Sequence, residues 1–378
     1  MAAAMDRMHS PIRTAALAAI ALLLAAHAAS AAGSASPDDT ARILAGMQPS
    51  AESPLALLTR EGGWQSHAKS FDSAWKRLDE RQLSRIRAWS GKEHADPRSV
   101  VFYMFSGPDY LYADAFFPKA STYVLSGLEP VGQVPDLTAL PRGSIGRELR
   151  EIEASLSSVL SYSFFITEKM KRQLGSGRVT GTLPILYVFL ARSGKTISEV
   201  SLVSLDPDGA VQPAGTTVSK SASRGVKIIF SGPEGGTQTL YYFSTDLSDG
   251  GVKSSGFLKF CEGLGSGDSL LKSASYLLHS DNFSKVRDFL LHHSAAIVQD
   301  DSGIPARYFA PKEWELHPFG NYLGPISIFP GRYQPKLREV FRNGRTVRLD
   351  FGIGYRWRPY ESNLLLAVKS GAKSAQDQ

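Results

Sequence analysis

Two kinds of apolar pattern alternate along this chain. Over residues 64–89, Phe71, Trp75, Leu78, Leu83, Ile86 and Trp89 recur mostly at three- and four-residue steps. Lys76, Arg77, Glu80, Arg81, Arg85 and Arg87 fall on the other face. That periodicity predicts a long amphipathic helix packed on a core and ended by Gly91. Asp72, Asp79 and Glu80 dilute the basic face, which reads as solvated rather than as a polyanion surface. A second long helix is predicted over 144–174. Its stripe is Ile145, Leu149, Ile152, Leu156, Val159 and Leu160, extended by Phe164 and Phe165, and Gly175-Ser176-Gly177 ends it. Shorter helices are predicted over 40–47, 54–59, 269–279 and 284–293.

Between the long helices, residues 99–132 read differently. Val100 to Phe105 is a short continuous apolar run, the signature of a strand buried on both faces. Ser106-Gly107-Pro108-Asp109 stops it, because Gly tolerates positive φ, Pro has no N–H and Asp bonds its local backbone. An aromatic segment with Tyr110, Tyr112, Phe116 and Phe117 follows, then a second strand, Thr122 to Leu125, and a close at Ser126-Gly127 and Glu129.

Beyond residue 175 the chain is β-rich. Residues 183–190 and 197–205 read as a strand pair, as do 226–230 and 239–243. Late strands are predicted over 295–298, 345–351 and 364–368. These elements predict an α+β fold, with mixed α/β as the alternative: long amphipathic helices packed on a mixed sheet. Two sub-domains are expected, a helix–strand–strand–helix unit over 32–175 and a β-rich unit over 176–378 with a helical insertion at about 269–293.

The first residues change the picture. Arg7 and Arg13 precede an apolar run over 15–26, and Ala29-Ser30-Ala31 fits a small-x-small cleavage site. Residues 1–31 are therefore expected to be a secretory signal peptide, and the protein periplasmic or secreted. No later run approaches a membrane span, so a soluble product without a transmembrane segment is expected after cleavage. The formal charge of +6 includes a net +1 from Asp6, Arg7 and Arg13 in the leader. The remainder is modest and gives no footprint for nucleic acid. One cysteine, Cys261, excludes an intramolecular disulfide.

FSGPDYLYADAFFP, followed by YVLSGLEPVG, resembles the signature of a family of exported bacterial proteins of unknown function. The resemblance covers about a tenth of the chain. It implies export and brings no activity, cofactor or catalytic residue.

Each strand of this unit ends in Ser-Gly followed by an acid, which could bring Asp109 and Glu129 to one sheet edge, where loops on a rigid scaffold often bind ligands. Ser106, Asp109, Tyr110, Tyr112, Asp114 and Glu129 are the candidate binding residues. The competing reading makes the acids turn-formers or caps and the aromatics core. His293, Asp300 and Asp301 are the candidate metal or acid–base group, against helix capping and a surface turn. Tyr355 to Tyr360 alternates aromatic and basic residues, as a cation–aromatic surface or a half-buried strand would. Phe230-Ser231-Gly232-Pro233-Glu234 echoes the first turn and hints at duplication. Gly194-Lys195-Thr196 is not a P-loop, since Phe189 stands where the first Gly is needed and no helix is predicted to follow. No G-x-S-x-G elbow lies in a strand–helix setting and no H-E-x-x-H occurs. The expected function is an exported ligand-binding or accessory envelope protein, its partner a small molecule or an envelope protein. The rival is a secreted hydrolase using the acids and histidines, metal-assisted or not. The sequence assigns no cofactor.

Overall fold

The computed structural model describes residues 35–161, 179–215 and 222–371. The leader, the helix expected beyond residue 161 with its glycine stop, and the last seven residues lie outside the described residues. The chain is an α+β fold around one mixed sheet. Its strands are β1 (Val100–Tyr103), β2 (Thr122–Gly127), β3 (Thr196–Leu205), β4 (Val211–Pro213), β5 (Arg224–Gly232), β6 (Gly235–Ser244), β7 (Gly267–Leu271), β8 (Ser294–Gln299), β9 (Trp314–Gly320) and β10 (Asn363–Lys369). They lie in the order β4-β3-β5-β6-β2-β1-β7-β8-β10-β9. The five central strands, β6-β2-β1-β7-β8, are parallel. The remaining pairs on either side are antiparallel.

The described helices are α1 (Pro37–Leu44), α2 (Gly62–Leu78), α3 (Ser84–Glu93), α4 (Tyr110–Phe116), α5 (Ile145–Ser161), α6 (Leu183–Arg192), α7 (Asp249–Val252), α8 (Phe257–Gly263), α9 (Ser284–His293) and α10 (Pro335–Asn343). A π-helical turn, Asp79–Leu83, joins α2 to α3. It absorbs the five-residue step from Leu78 to Leu83, so both leucines stay buried. Alternate residues of the parallel strands feed opposite cores, as a period of two requires. Val101, Tyr103, Tyr123, Leu125 and Leu270 pack with α1 to α6. Phe102, Val124, Leu271 and Ile297 pack with α8 and α9.

Several expectations are corrected. Residues 183–190 are helix α6, not a strand. Every residue from Leu183 to Ala191 is buried, so the segment carries no amphipathic signal, and its apolar run reads the same as a buried strand. The segment Tyr110–Phe116 is a buried helix. Gly91 lies inside α3, which runs on to Glu93. Residues 269–271 belong to β7, and Ser273–His279 is a 3-10 helix. Residues 345–351 form no strand beyond a single bridge, Phe319 to Val347. β9 was not anticipated; Pro318 within it argues against a strand from sequence. The two Ser-Gly-Pro turns occupy opposite edges. The first follows a parallel strand into α4, whereas the second is the tight β5–β6 hairpin. No helix among the described residues is long and apolar enough to cross a membrane.

One close approach fixes the loop after β2. Gly132 has φ +85° and Gly181 φ +78°, and their backbones touch. A Cβ on Gly132 would collide with the Thr180 carbonyl. The N–H groups of Thr182 and Leu183 donate to the carbonyls of Pro130 and Val131, both at 3.0 Å. The start of α6 thus clamps the loop that carries Glu129. Gly132→Ala is expected to lower unfolding free energy by about 2 kcal/mol or more, from left-handed strain plus the clash, measured by urea denaturation.

Candidate functional site

A parallel sheet gathers the loops that follow its strands along one edge, and ligands bind where neighbouring loops leave in opposite directions. β1 leads into α4 and on to β2 at one side, while β7 lies on the other side of β1. Their loops part here, and a cavity of about 250 Å³ opens at this point. Every parallel strand but β8 contributes directly: Ser106, Gly107 and Asp109 after β1, Gly127 to Glu129 after β2, Thr245 to Leu247 after β6, and Lys272 to Ala274 after β7. Phe105, Phe283 and Tyr355 supply aromatic wall. Leu128 and Leu277, 61% and 43% exposed, sit among the lining residues as uncovered apolar surface.

The floor is an ion pair. Lys272 Nζ lies 2.8 Å from Asp109 Oδ2, with both side chains 2% exposed. The Tyr103 hydroxyl donates to the same oxygen at 2.8 Å, and the Tyr112 N–H donates to Asp109 Oδ1 at 3.3 Å. Asp109 is therefore the N-cap of α4. The Lys272 ammonium also lies 4.2 Å from the centroid of the Tyr112 ring. Burial, then the charge of Asp109, push the Tyr103 hydroxyl well above its ordinary pKa.

Glu129 forms one wall. It is 6% exposed, and its carboxylate lies against Gly107. A Cβ on Gly127 would strike this carboxylate and come within 2.9 Å of the Gly107 Cα, so Gly127 makes its room. The Tyr242 hydroxyl donates to the Glu129 carbonyl at 2.7 Å and lies 3.4 Å from Oε2. Since a hydroxyl has one proton, the carboxylate retains acceptor capacity toward the cavity.

Ser273 also lines the cavity. Phe105 (φ +60°) and Ser273 (φ +61°) are the two non-glycine residues with positive φ among those described, and both line the cavity. Backbone strain of this kind concentrates at functional sites. The Ser273 N–H donates to Asp300 Oδ2 at 3.2 Å, while its buried Oγ has no hydrogen-bond partner among the described residues. Asp300 also accepts from the Ser302 N–H and hydroxyl. Burial first, and the neighbouring Asp301 second, raise its carboxyl above the usual range. Asp301 accepts from the Tyr276 hydroxyl at 2.5 Å and the Asn363 amide at 3.0 Å.

The sequence candidates divide accordingly. Ser106, Asp109 and Glu129 meet in the cavity. Tyr112 supports Lys272 from beneath. Tyr110 and Asp114 face elsewhere: the Tyr110 hydroxyl donates to Asp114 at 3.1 Å, and Asp114 pairs with Lys195 at 2.9 Å. That pair borders a larger hollow of about 730 Å³ at the opposite sheet edge, between α2, α3 and the start of β3. His293 does not meet Asp300 and Asp301, because β8 separates them by about 20 Å of strand; the His293 ring stacks on Phe289. Among the described residues, no three His, Cys, Asp or Glu side chains converge to hold a metal. Arg356 donates to the carbonyls of Gly324 and Pro325, so the aromatic–basic tail segment is partly tied into the fold. Lys272 and Ser273 were missed, although a lysine closing the buried run before it is itself an unusual signal.

Two predictions follow from this geometry. Lys272→Met, which strands a buried carboxylate, should cost about 3–5 kcal/mol, while adding Asp109→Asn should recover part of that loss. A double-mutant cycle in denaturant measures both. His279 ends the cavity-lining 3-10 helix, and its ring nitrogen bonds the Gly303 carbonyl at 3.0 Å. Burial, helped by Arg332, lowers its pKa to about 4. The unfolded chain therefore takes up this proton first as pH falls from about 6.5, and stability is lost down to about 4, by roughly 2–3 kcal/mol. In His279→Gln, thermal melts across that window should show a shallower fall. No protein-family model, no curated protein and no solved structure matches this chain.

Proposed function

We propose that the chain binds a ribose-bearing small molecule, a nucleoside or a nucleoside derivative, in the cavity at the carboxyl ends of its parallel strands. The observation that carries this reading is Glu129. In nucleotide-binding sheets with the order 3-2-1-4-5, the first βα turn is followed about 20 residues later by an acid that accepts the ribose hydroxyls. Here the central strands β6-β2-β1-β7-β8 have that order, counted along the chain within the parallel set. Glu129 follows Gly107 by 22 positions and lies just past the end of β2, the second strand of the set. Its buried carboxylate faces the cavity with acceptor capacity to spare, which suits a vicinal diol donating two hydrogen bonds. Phe105, Leu247, Leu277 and Phe283 offer apolar wall for a base. Fold likeness alone would carry no function, so the weight rests on this carboxylate and on Gly127 beside it. The leader-like residues 1–31 support an exported site of action.

Glu129→Gln tests the reading. The change keeps the side-chain size and leaves the Tyr242 bond to the backbone carbonyl intact. Calorimetric titration with nucleosides should show binding to the wild type. Loss of a charge-assisted hydrogen bond worth about 1.5–3 kcal/mol should weaken it by about ten- to hundred-fold, with the melting temperature without ligand nearly unchanged. Equal affinity in the two proteins would exclude Glu129 as the ribose acceptor.

A further inference from the structure

A dinucleotide-binding sheet holds its pyrophosphate on the free N–H groups of a glycine-rich turn at the start of the helix after the first strand. In this chain several of those groups are taken by the protein itself. The Gly107 N–H donates to the Ser126 carbonyl at 3.1 Å, Pro108 has no N–H, and the Tyr110 N–H turns back to the Pro108 carbonyl at 2.8 Å. The Tyr112 N–H is taken by Asp109. The place of an anion is filled by the protein's own carboxylate, which is 1% exposed. α4 is only seven residues long, so its dipole adds little for a second anion. The sheet departs from the dinucleotide pattern as well, since antiparallel β10 lies between β8 and β9.

What the cavity floor offers beside Glu129 is a balanced set, while Asp246, exposed in the lining, accepts from the Ser248 N–H and hydroxyl. Asp109 accepts, Lys272 donates, and the buried Ser273 Oγ stands ready with no partner among the described residues. The pair sums to zero charge. A phosphate there would meet Asp109 at close range, and apposed like charges cost several kcal/mol. A group with its own ammonium and carboxylate can match both ends, the ammonium toward Asp109 and the carboxylate toward Lys272 and Ser273.

We infer that the ligand is a nucleoside without a 5′-phosphate, its 5′ position bearing a zwitterionic, amino-acid-like group that lies on the Asp109–Lys272 pair and Ser273. This rests on the ribose reading of Glu129 and goes further by naming the substituent.

The test is calorimetric titration of the purified protein with adenosine, guanosine, cytidine and uridine, each beside its 5′-monophosphate, and with NAD and S-adenosylhomocysteine. The nucleoside that binds best should exceed its monophosphate by about tenfold or more. S-adenosylhomocysteine should bind more tightly than adenosine, and Ser273→Ala should reduce that gain while leaving adenosine affinity unchanged. Monophosphates or NAD binding as well as the nucleosides would overturn the inference and leave the ribose reading standing. Equal affinity for adenosine and S-adenosylhomocysteine would also overturn it. Binding of none of these compounds would overturn both.

Discussion

The buried pair of Asp109 and Lys272 is the constraint around which the carboxyl edge of the sheet is built. Taking two charges out of water costs several kcal/mol each, and mutual attraction offsets this only when hydrogen bonds satisfy what remains. The chain supplies those bonds from three directions: the Tyr103 hydroxyl from β1, the Tyr112 N–H from α4, and the Tyr112 ring beneath the ammonium. The result joins the loop after β1 to the end of β7, where the backbone connections of the sheet diverge. The β1–β7 ladder ends at Phe102 and Ser269, so the pair joins the two loops beyond the reach of the ladder bonds. Asp109 is thus a cap, an ion-pair partner and a wall of the cavity at once, and the turn-forming and binding readings of this residue do not compete.

The same edge shows how the fold pays for a cavity it could have filled. Phe105 and Ser273 stand in left-handed conformations that cost about 1–2 kcal/mol apiece. Their neighbours hold them there: Asp300 receives the Ser273 N–H, and the Phe105 ring packs edge-on against Phe283. Gly127 leaves the volume in which the Glu129 carboxylate sits, and the Gly132–Gly181 crossing locks the loop behind it. Every one of these features is a local disadvantage for stability. They converge on one place, the cavity at the carboxyl edge of the sheet.

What the sequence made legible follows from how far each signal reaches. The α+β class, the amphipathic helix around Phe71 to Trp89 and the paired acids of the Ser-Gly turns are local patterns with a period or a turn chemistry of their own. The failures have a common cause. Helix α6 is buried all round, so Leu183 to Ala191 reads as a strand. β9 contains Pro318, tolerated because β9 is the edge strand. Lys272 and Ser273 belong to the site only because β7 lies next to β1, a neighbour relation between residues about 160 positions apart that no spacing rule encodes. His293, Asp300 and Asp301 are close in sequence yet sit at opposite ends of β8, the reverse error.

A second buried carboxylate–lysine pair sharpens the distinction between structure and site. Asp114, on the same short helix as the cap Asp109, pairs with Lys195 at the opposite sheet edge. Burial pushes its carboxyl above the ordinary range while Lys195 opposes the shift. Around it the polar chemistry closes: Tyr110 donates to Asp114, Lys195 reaches Gln238, and Gln238 donates to the Ala120 carbonyl. A fully buried helix with an acid near each end needs a cation for each, and Lys195 answers that need. At the carboxyl edge the same need is met by Lys272, yet polar capacity is left over on the Glu129 carboxylate and the Ser273 hydroxyl, beside open volume and uncovered leucines. The two edges carry like charges in like burial. At the carboxyl edge the spare acceptor of Glu129 and the unpartnered Ser273 hydroxyl belong to the lining of one cavity.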